Sequence, residues 1–305
     1  MSAASGRVCV VGSFNEDTTL GVAALPGPGE TTLTRGTRLV SPGGKGANQA
    51  AAAAVLGARV TMVGAVGDDE PGERALAALS DLDVDVSPVA RRDDVGTGIA
   101  VITVDADGEN TIVVDPGANA SLTAAEVEAA VAAARPDVLL LQLEVPVDAV
   151  AAAVAAADGA RVVLNPAPMP PDPAPVRELL AGVDVLVPNR SELGRLVGRP
   201  EPTDSTGVAV CVAALGHHGS VVVTLGAAGA LCFDGDDAPV AVPGVPTEAT
   251  DASGAGDVFC GTLAQQLAGG ADLLEAVRRA NALAAAHTVH AGARVRADLP
   301  DLAAH

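Results

Sequence analysis

The chain has 305 residues and a mass of 29.8 kDa, with 49% apolar residues, 18% charged residues and a formal net charge of −20. That length can bury one large core, or one core with a small accessory layer, and the apolar share excludes disorder despite the charge. Three Phe and no Tyr or Trp leave Ala, Val and Leu to build the core, which suits helix–sheet packing and excludes a nucleic-acid surface based on aromatic stacking. Eighteen Lys and Arg against 38 Asp and Glu repel polyanions and acidic membranes, so neither nucleic acid nor a membrane is an expected partner. A small anionic ligand stays open, because backbone N–H groups can hold a phosphate locally. Cys9, Cys211, Cys232 and Cys260 are scattered and read as buried small residues rather than a disulfide or zinc framework. The N-terminus lacks a leader-like apolar region and no stretch reaches 18 apolar residues, so a cytoplasmic protein is expected.

Residues 7–11 (RVCVV) predict a first strand, ending at Gly12 with Ser13, Asn15 and Asp17 behind it. Residues 33–40 predict a strand broken by Gly36, and the run from Ala47 a helix stopped near Gly57. A strand over RVTMVGAVG and a helix over PGERALAALS follow. Strand–helix alternation is the α/β signature. The runs 98–104 and 111–115, joined by DADGEN, break that rhythm and predict an antiparallel hairpin. With strands near 18–22 and 33–40, this segment (98–115) predicts a small separate sheet covering a site. The DADGEN glycine is misplaced for a calcium loop. The alternation then returns: helix 124–134, strand 138–144, helix 147–157, strand 161–168, strand 183–189, helix 208–215 and strand 220–226. An antiparallel pair follows, and helices over 255–268 and 272–286 close a single domain spanning 1–305.

Ligands of open α/β sheets sit beyond the carboxyl ends of the strands, so the polar clusters there carry the chemistry. The most informative is DASGAGD (251–257) at the mouth of a helix. Gly254, Ala255 and Gly256 would leave backbone N–H groups open at a positive helix end, an anion cradle suited to a phosphoryl group in transit. Asp257, just inside the helix, could accept a hydroxyl proton. The same residues serve equally well as a capping carboxylate with glycines for a tight turn. SPGGKGANQ (41–49) precedes another helix, and its Lys45 is the chain's only lysine. It is not a Walker A lysine, yet Arg takes every other such place, which singles it out. VVGSFNED has one glycine where a dinucleotide turn needs three. His217 and His218 read as a solvent-facing loop, and His287 and His290 as favourable to a helix C-terminus.

GGKGANQA with GAVGDDEPG (64–72), and DASGAGDVFCG (251–261), resemble the two signatures of the ribokinase-like, or PfkB, carbohydrate kinases. GSFNED, the TG start of the hairpin, PGAN, LQLE, LNPAP, PN-SE and TLG fall in that family's order, so the resemblance spans residues 7–293. It implies a three-layer α/β/α fold with a central, mostly parallel sheet and a small β-sheet lid. It also implies ATP-dependent phosphorylation of a sugar, with the co-occurrence of GGKGANQA, GAN, QLE and LNPAP pointing to D-ribose and its O5. A related sugar or a nucleoside is the alternative acceptor, and a sugar-binding regulator without turnover the non-enzymatic one.

The resemblance implies roles for matching residues. Asn15, Asp17, Gly44, Lys45, Asn48 and Glu144 would bind the sugar. Asp257 would be the base, with Gly254, Ala255 and Gly256 as anion hole. Asn189, Glu192, Thr224, Gly226, Gly229, Gly256 and Asn281 would surround the nucleotide, with Glu192 in the Mg²⁺ region. Asp251 and the Ser253 carbonyl would form half of a K⁺ site, although the loop HTVHAGARVR departs from the polar residue plus Pro-Ser usual in the family after Gly-Ala. A homodimer through the lid strands is expected.

Overall fold

The computed structural model describes residues 6–235, 237–290 and 292–297. The reading of the extreme N-terminus therefore rests partly on residues outside that set. β-Branched runs and Ala-rich runs alternate, and the elements follow them. The first part holds β1 (Arg7–Val11), β2 (Asn15–Gly21), β3 (Leu39–Gly43), α1 (Lys45–Val55), β4 (Arg59–Val63), β5 (Ala65–Gly67), α2 (Glu70–Ser80) and β6 (Ala90–Arg92). Next come β7 (Gly98–Val104), β8 (Asn110–Asp115), α3 (Ala124–Ala134), β9 (Val138–Leu141), α4 (Val147–Ala156), β10 (Arg161–Leu164), α5 (Ala174–Leu179) and β11 (Val185–Leu186). The last part holds α6 (Arg190–Leu196), α7 (Ser205–Leu215), β12 (Ser220–Thr224), β13 (Gly229–Phe233), β14 (Val240–Pro243), α8 (Ala255–Ala268) and α9 (Leu273–His287).

The large sheet runs β14-β13-β12-β11-β10-β9-β1-β4, with every strand parallel except β13, which is antiparallel to both β12 and the edge strand β14. Period-two alternation sorts β1 between two cores. Val8 and Val10 join α1, α8 and α9, whereas Cys9 and Val11 join α3 and α4 on the opposite face. Both faces are covered, as a parallel sheet requires. From β1 the chain winds outward to β4 on one side, and later to β9 on the other. The strand order thus reverses beside β1, which opens a crevice at the carboxyl ends of β1 and β9.

A second sheet, ordered β3-β2-β7-β8, is separate, and β5 pairs with β6 in a third. β2 runs parallel to β7, while β3 and β8 are antiparallel at the edges. Several predicted spans change. The strand expected over 33–40 is β3, starting only at Leu39; before it, Gly36 has φ +77°, which breaks the extended path. The one expected near 18–22 starts at Asn15, so β2 itself carries two candidate sugar ligands. RVTMVGAVG splits at Gly64, whose α-carbon lies against the Gly12 carbonyl and the Phe14 ring with no room for a Cβ. The strands predicted over 138–144, 161–168, 183–189 and 220–226 stop at residues 141, 164, 186 and 224. Their polar tails, with Gln142, Asn165 and Asn189, leave the ladder to bond through side chains.

Helices α1 and α8 cross the same face of the sheet at close range. A Cβ on Gly261 of α8 would lie 2.5 Å from the Gln49 carbonyl and 2.7 Å from the Ala52 Cβ of α1. This approach sets the spacing of the candidate base on α8 from the polar side chains of α1. Gly261→Ala should destabilise the fold by about 1–3 kcal/mol through overpacking, measured by denaturant unfolding, and should lower turnover along with stability. A variant as stable and active as the wild type would show that the helices can part freely.

Candidate active site

The site is assembled at the crevice from four segments. Gly254, with φ +75°, caps α8, and its α-carbon packs on the Ala293 carbonyl too tightly for any side chain. The Ala255 N–H bonds the Ala252 carbonyl at 3.3 Å, so the open donors of the first turn are those of Gly256 and Asp257. Nothing lies within 4 Å of where a Gly256 Cβ would stand. The cradle expected from the N–H groups of Gly254, Ala255 and Gly256 therefore changes, with the Ala255 N–H turned inward and the open space standing over Gly256. It opens into a cleft of about 250 Å³ lined by Lys45, Asn189, Glu192, Thr224, Gly256 and Asp257.

Asp257 is buried and held from both sides. Its Oδ2 accepts from Asn48 Nδ2 at 3.2 Å and its Oδ1 from Gln49 Nε2 at 3.0 Å. Gln49 in turn accepts from Gln142 at 2.6 Å and reaches Asn165 at 3.3 Å. Sequence reasoning missed Gln49 as a supporting residue, although it stands inside GGKGANQ. The available signal was a long polar side chain beside the apolar run of α1. Asn48 keeps a buried Oδ1 without a partner, an acceptor available to a ligand hydroxyl.

Glu144 accepts the Ser13 hydroxyl at 2.5 Å and the Lys45 backbone N–H at 3.0 Å. It therefore ties the end of β1 to the start of α1, and Ser13 is a second missed residue. The Lys45 ammonium stays charged despite burial. Asp257 foremost, then Glu144 and Glu192, raise its pKa. Gly44, at φ +91°, fits its α-carbon against the backbone of Ser13 and Phe14.

Asn15 and Asp17 project from one face of β2, with Glu16 turned to the other, where it pairs with Arg74. Asn15 accepts from Asn119 Nδ2 at 3.0 Å, and Asn119 also brackets both backbone groups of Phe14. Asp17 lies against Gly43 with no room for a Cβ between them. Burial first, then Glu144 and Asp257, push the Asp17 carboxyl up to about 7, against the opposing pull of Arg294 and Lys45.

The nucleotide set is less uniform. Asn189 and Glu192 form a reciprocal capping box at the start of α6, each side chain accepting the other's backbone N–H at 2.8 Å. Both still line the cleft, and burial raises the Glu192 carboxyl. Thr224 bridges to Asn189 and lines the cleft, whereas Gly226 and Gly229 shape the turn into β13 with φ of +60° and +96°. Asn281 lies away from the cleft lining; its Nδ2 clamps α9 to the Val242 and Pro243 carbonyls at 3.2 and 3.1 Å.

The expected K⁺ half-site is also engaged. Asp251 accepts the Ser253 N–H at 2.8 Å and the Gly292 N–H at 2.9 Å, and the Ser253 carbonyl accepts from His287 at 3.0 Å. Burial pushes the Asp251 carboxyl upward, but these hydrogen bonds and His287 hold it below its ordinary range. Each of those oxygens accepts one hydrogen bond and keeps a further lone pair, so the half-site the sequence leads us to expect can still ligate a cation. His287, read as a dipole partner, is a buried hydrogen-bond donor. Of His217 and His218 only the second is exposed. Among the described residues no cluster of three or more His, Cys, Asp and Glu could hold a metal on its own, and no helix is long and apolar enough to cross a membrane.

The family model described as pfkB family carbohydrate kinase matches residues 5–300. The chain belongs to this family. It is 36% identical over 291 residues to the ribokinase of Bacillus subtilis, covering 94% of each chain. It is 37% identical over 266 residues to the bifunctional ribokinase/ribose-5-phosphate isomerase A of Fructilactobacillus sanfranciscensis, spanning 86% of this chain but about half (48%) of that protein. The deoxyribokinase of Salmonella typhi matches at 33% over 287 residues, 91% of each chain. Among solved structures, the ribokinase of Arabidopsis thaliana complexed with ribose and ATP superposes with a TM-score of 0.83 at 30% identity, over 98% of this chain and 99% of that one. As a pfkB member the chain is an ATP-dependent sugar kinase, and the crevice is where its two signatures meet.

The Asp17 carboxyl supplies a test of this geometry. Its pKa is raised in the folded state, so the fold binds an extra proton between about pH 4 and 7, and stability falls as pH rises through that window. Asp17→Asn should therefore melt higher than the wild type at pH 8, with the difference shrinking toward pH 4. A variant that melts lower at pH 8 would place Asp17 in a charge-stabilising setting instead.

Proposed function

We propose that the chain phosphorylates D-ribose at O5, using ATP. The observation that carries this reading is the Asp257 carboxylate, hydrogen-bonded by Asn48 and Gln49 and standing one residue beyond the open Gly256 cradle. Asp257 takes the proton of the attacking hydroxyl, and the N–H groups of Gly256 and Asp257 with the Lys45 ammonium meet the charge developing on the transferred phosphoryl oxygens. Asn15, Asp17, Asn48 and Glu144 line the sugar end, where convergent polar groups punish a sugar that leaves one of them unpaired. The 36% identity to the ribokinase of Bacillus subtilis and the fold shared with the Arabidopsis thaliana ribokinase complexed with ribose and ATP support the ribose reading.

Asn189, Glu192 and Thr224 line the nucleotide end. Mg²⁺ fits there, since it binds through one or two carboxylates plus substrate phosphates. Glu192 is the carboxylate placed to hold it, and the ion supplies charge neutralisation of the phosphates. Asp251 and the Ser253 carbonyl are the half-site for K⁺ in this reading, each oxygen keeping a lone pair beyond its one hydrogen bond. Four unpaired, buried cysteines and the use of ATP suit the cytoplasm.

The β3-β2-β7-β8 sheet acts as the lid in this reading. Asn15 and Asp17 lie on its inner face and exclude water together with the bound sugar. The outer face carries Val40, Ile99, Val101 and Val113, exposed by 40%, 39%, 37% and 71%. A two-sided thin sheet with that apolar face calls for a cover, and a second copy of the chain supplies it, lid to lid.

Asp257→Asn should keep the fold and ATP binding while lowering turnover by roughly 10²–10⁴-fold; retention of more than about a tenth of wild-type turnover would remove it as the base. Comparing kcat/KM for ribose, 2-deoxyribose, fructose and adenosine tests the acceptor, and a competing sugar preferred by more than about tenfold would displace ribose. Sedimentation at micromolar concentration should give a dimer that Val113→Asp converts to monomer. A monomeric wild type would contradict the lid-to-lid contact.

A further inference from the structure

The segment after α9 carries a strongly basic side chain, Arg294. It follows Gly292-Ala293, where the family resemblance leads to the expectation of a polar residue plus Pro-Ser. That segment is fastened at two points to the cradle loop. The Gly292 N–H donates to Asp251 at 2.9 Å, and the Ala293 carbonyl packs on the α-carbon of Gly254. The guanidinium that follows is buried, and its Nε, Nη1 and Nη2 all lack a hydrogen-bond partner. By contrast, Arg7, Arg74, Arg91, Arg92 and Arg190 each have a carboxylate within ion-pair distance.

Leaving guanidinium donors desolvated and unpaired is costly, and the cost disappears when an acceptor arrives. The charged group that Arg294 feels is Asp17, which sits at the sugar end, and not Asp257 or Glu192 at the phosphate end. An ionised carboxylate only accepts and a guanidinium only donates, whereas a hydroxyl does both. A sugar hydroxyl lying between the two is therefore the group that satisfies each of them.

We propose that Arg294 is a substrate-binding residue, donating to the oxygen of a sugar hydroxyl whose proton the Asp17 carboxylate accepts. This rests on the sugar-kinase reading and adds to it a specificity contact from the segment after α9. Arg294 already attracts Asp17 across the gap in the free protein, and a bridging sugar hydroxyl adds the hydrogen bonds that both side chains lack to each other. Arg294 also links acceptor binding to the cradle, since the same segment abuts Gly254.

Titration calorimetry with D-ribose in the absence of nucleotide, beside steady-state kinetics, tests the proposal on the wild type, Arg294→Gln and Arg294→Lys. The glutamine variant should raise the Kd and KM for ribose by at least about tenfold, with the KM for ATP unchanged and the melting temperature no lower than that of the wild type; the lysine variant should recover part of the loss. The proposal is overturned if Arg294→Gln binds ribose within about twofold of the wild type. It is equally overturned if the KM for ATP rises in place of that for ribose, or if ribose binding falls only with the melting temperature and lysine restores neither. A wild type that ignores ribose would defeat the ribose reading alone. The same comparison would then run on the sugar it does phosphorylate, keeping the two failures apart.

Discussion

The distance between α1 and α8 is the constraint on which the site depends. α8 brings the cradle and Asp257; α1 brings Lys45, Asn48 and Gln49. Only a glycine at position 261 lets the helices approach until Gln49 and Asn48 both reach the Asp257 carboxylate, at 3.0 and 3.2 Å. Neither helix makes a site alone. A helix N-terminus attracts any anion, and a buried carboxylate is ordinarily a liability. Joined, they put a proton acceptor, a cation and open N–H groups around one point.

The remaining parts fix that pair relative to the sheet. Glu144, at the end of β9, anchors the first residue of α1, and Gln142 holds Gln49. Asn119 fixes Phe14 and Asn15 where β1 gives way to β2. Asp69 performs a similar service at the root of the small sheet: it caps α2 through Gly72 and takes the Thr97 N–H and hydroxyl at 2.8 and 2.6 Å, just before β7. The GAVGDDEPG motif is thus structural at this position, anchoring the sheet that carries Asn15 and Asp17.

Much of this was legible in the sequence because burial and periodicity are local signals. The β-branched runs gave β1, β7, β10 and β12, and the Ala-rich runs gave α1, α3 and α4, with boundary errors where strand ends carry polar residues. Those ends deviated for a physical reason: Gln142, Asn165 and Asn189 leave the backbone ladder for side-chain bonds made across the fold, which no local pattern encodes. The same cause hid Ser13, Gln49, Asn119 and Arg294. Each acts through a partner more than 90 positions away or through the lack of one. The bonds of Asn281 were hidden similarly, since its two carbonyl partners on β14 become visible only when α9 is docked.

The central claim is that the open first turn of α8 and Asp257 act on one hydroxyl of a bound pentose. The most direct measurement is the regiochemistry of the product formed from D-ribose and ATP, read by phosphorus–proton coupling in ³¹P NMR. The account predicts ribose 5-phosphate as the sole phosphorylated sugar, with ADP in equal amount. Phosphate at another carbon, or free phosphate accumulating in place of a sugar phosphate, would contradict it.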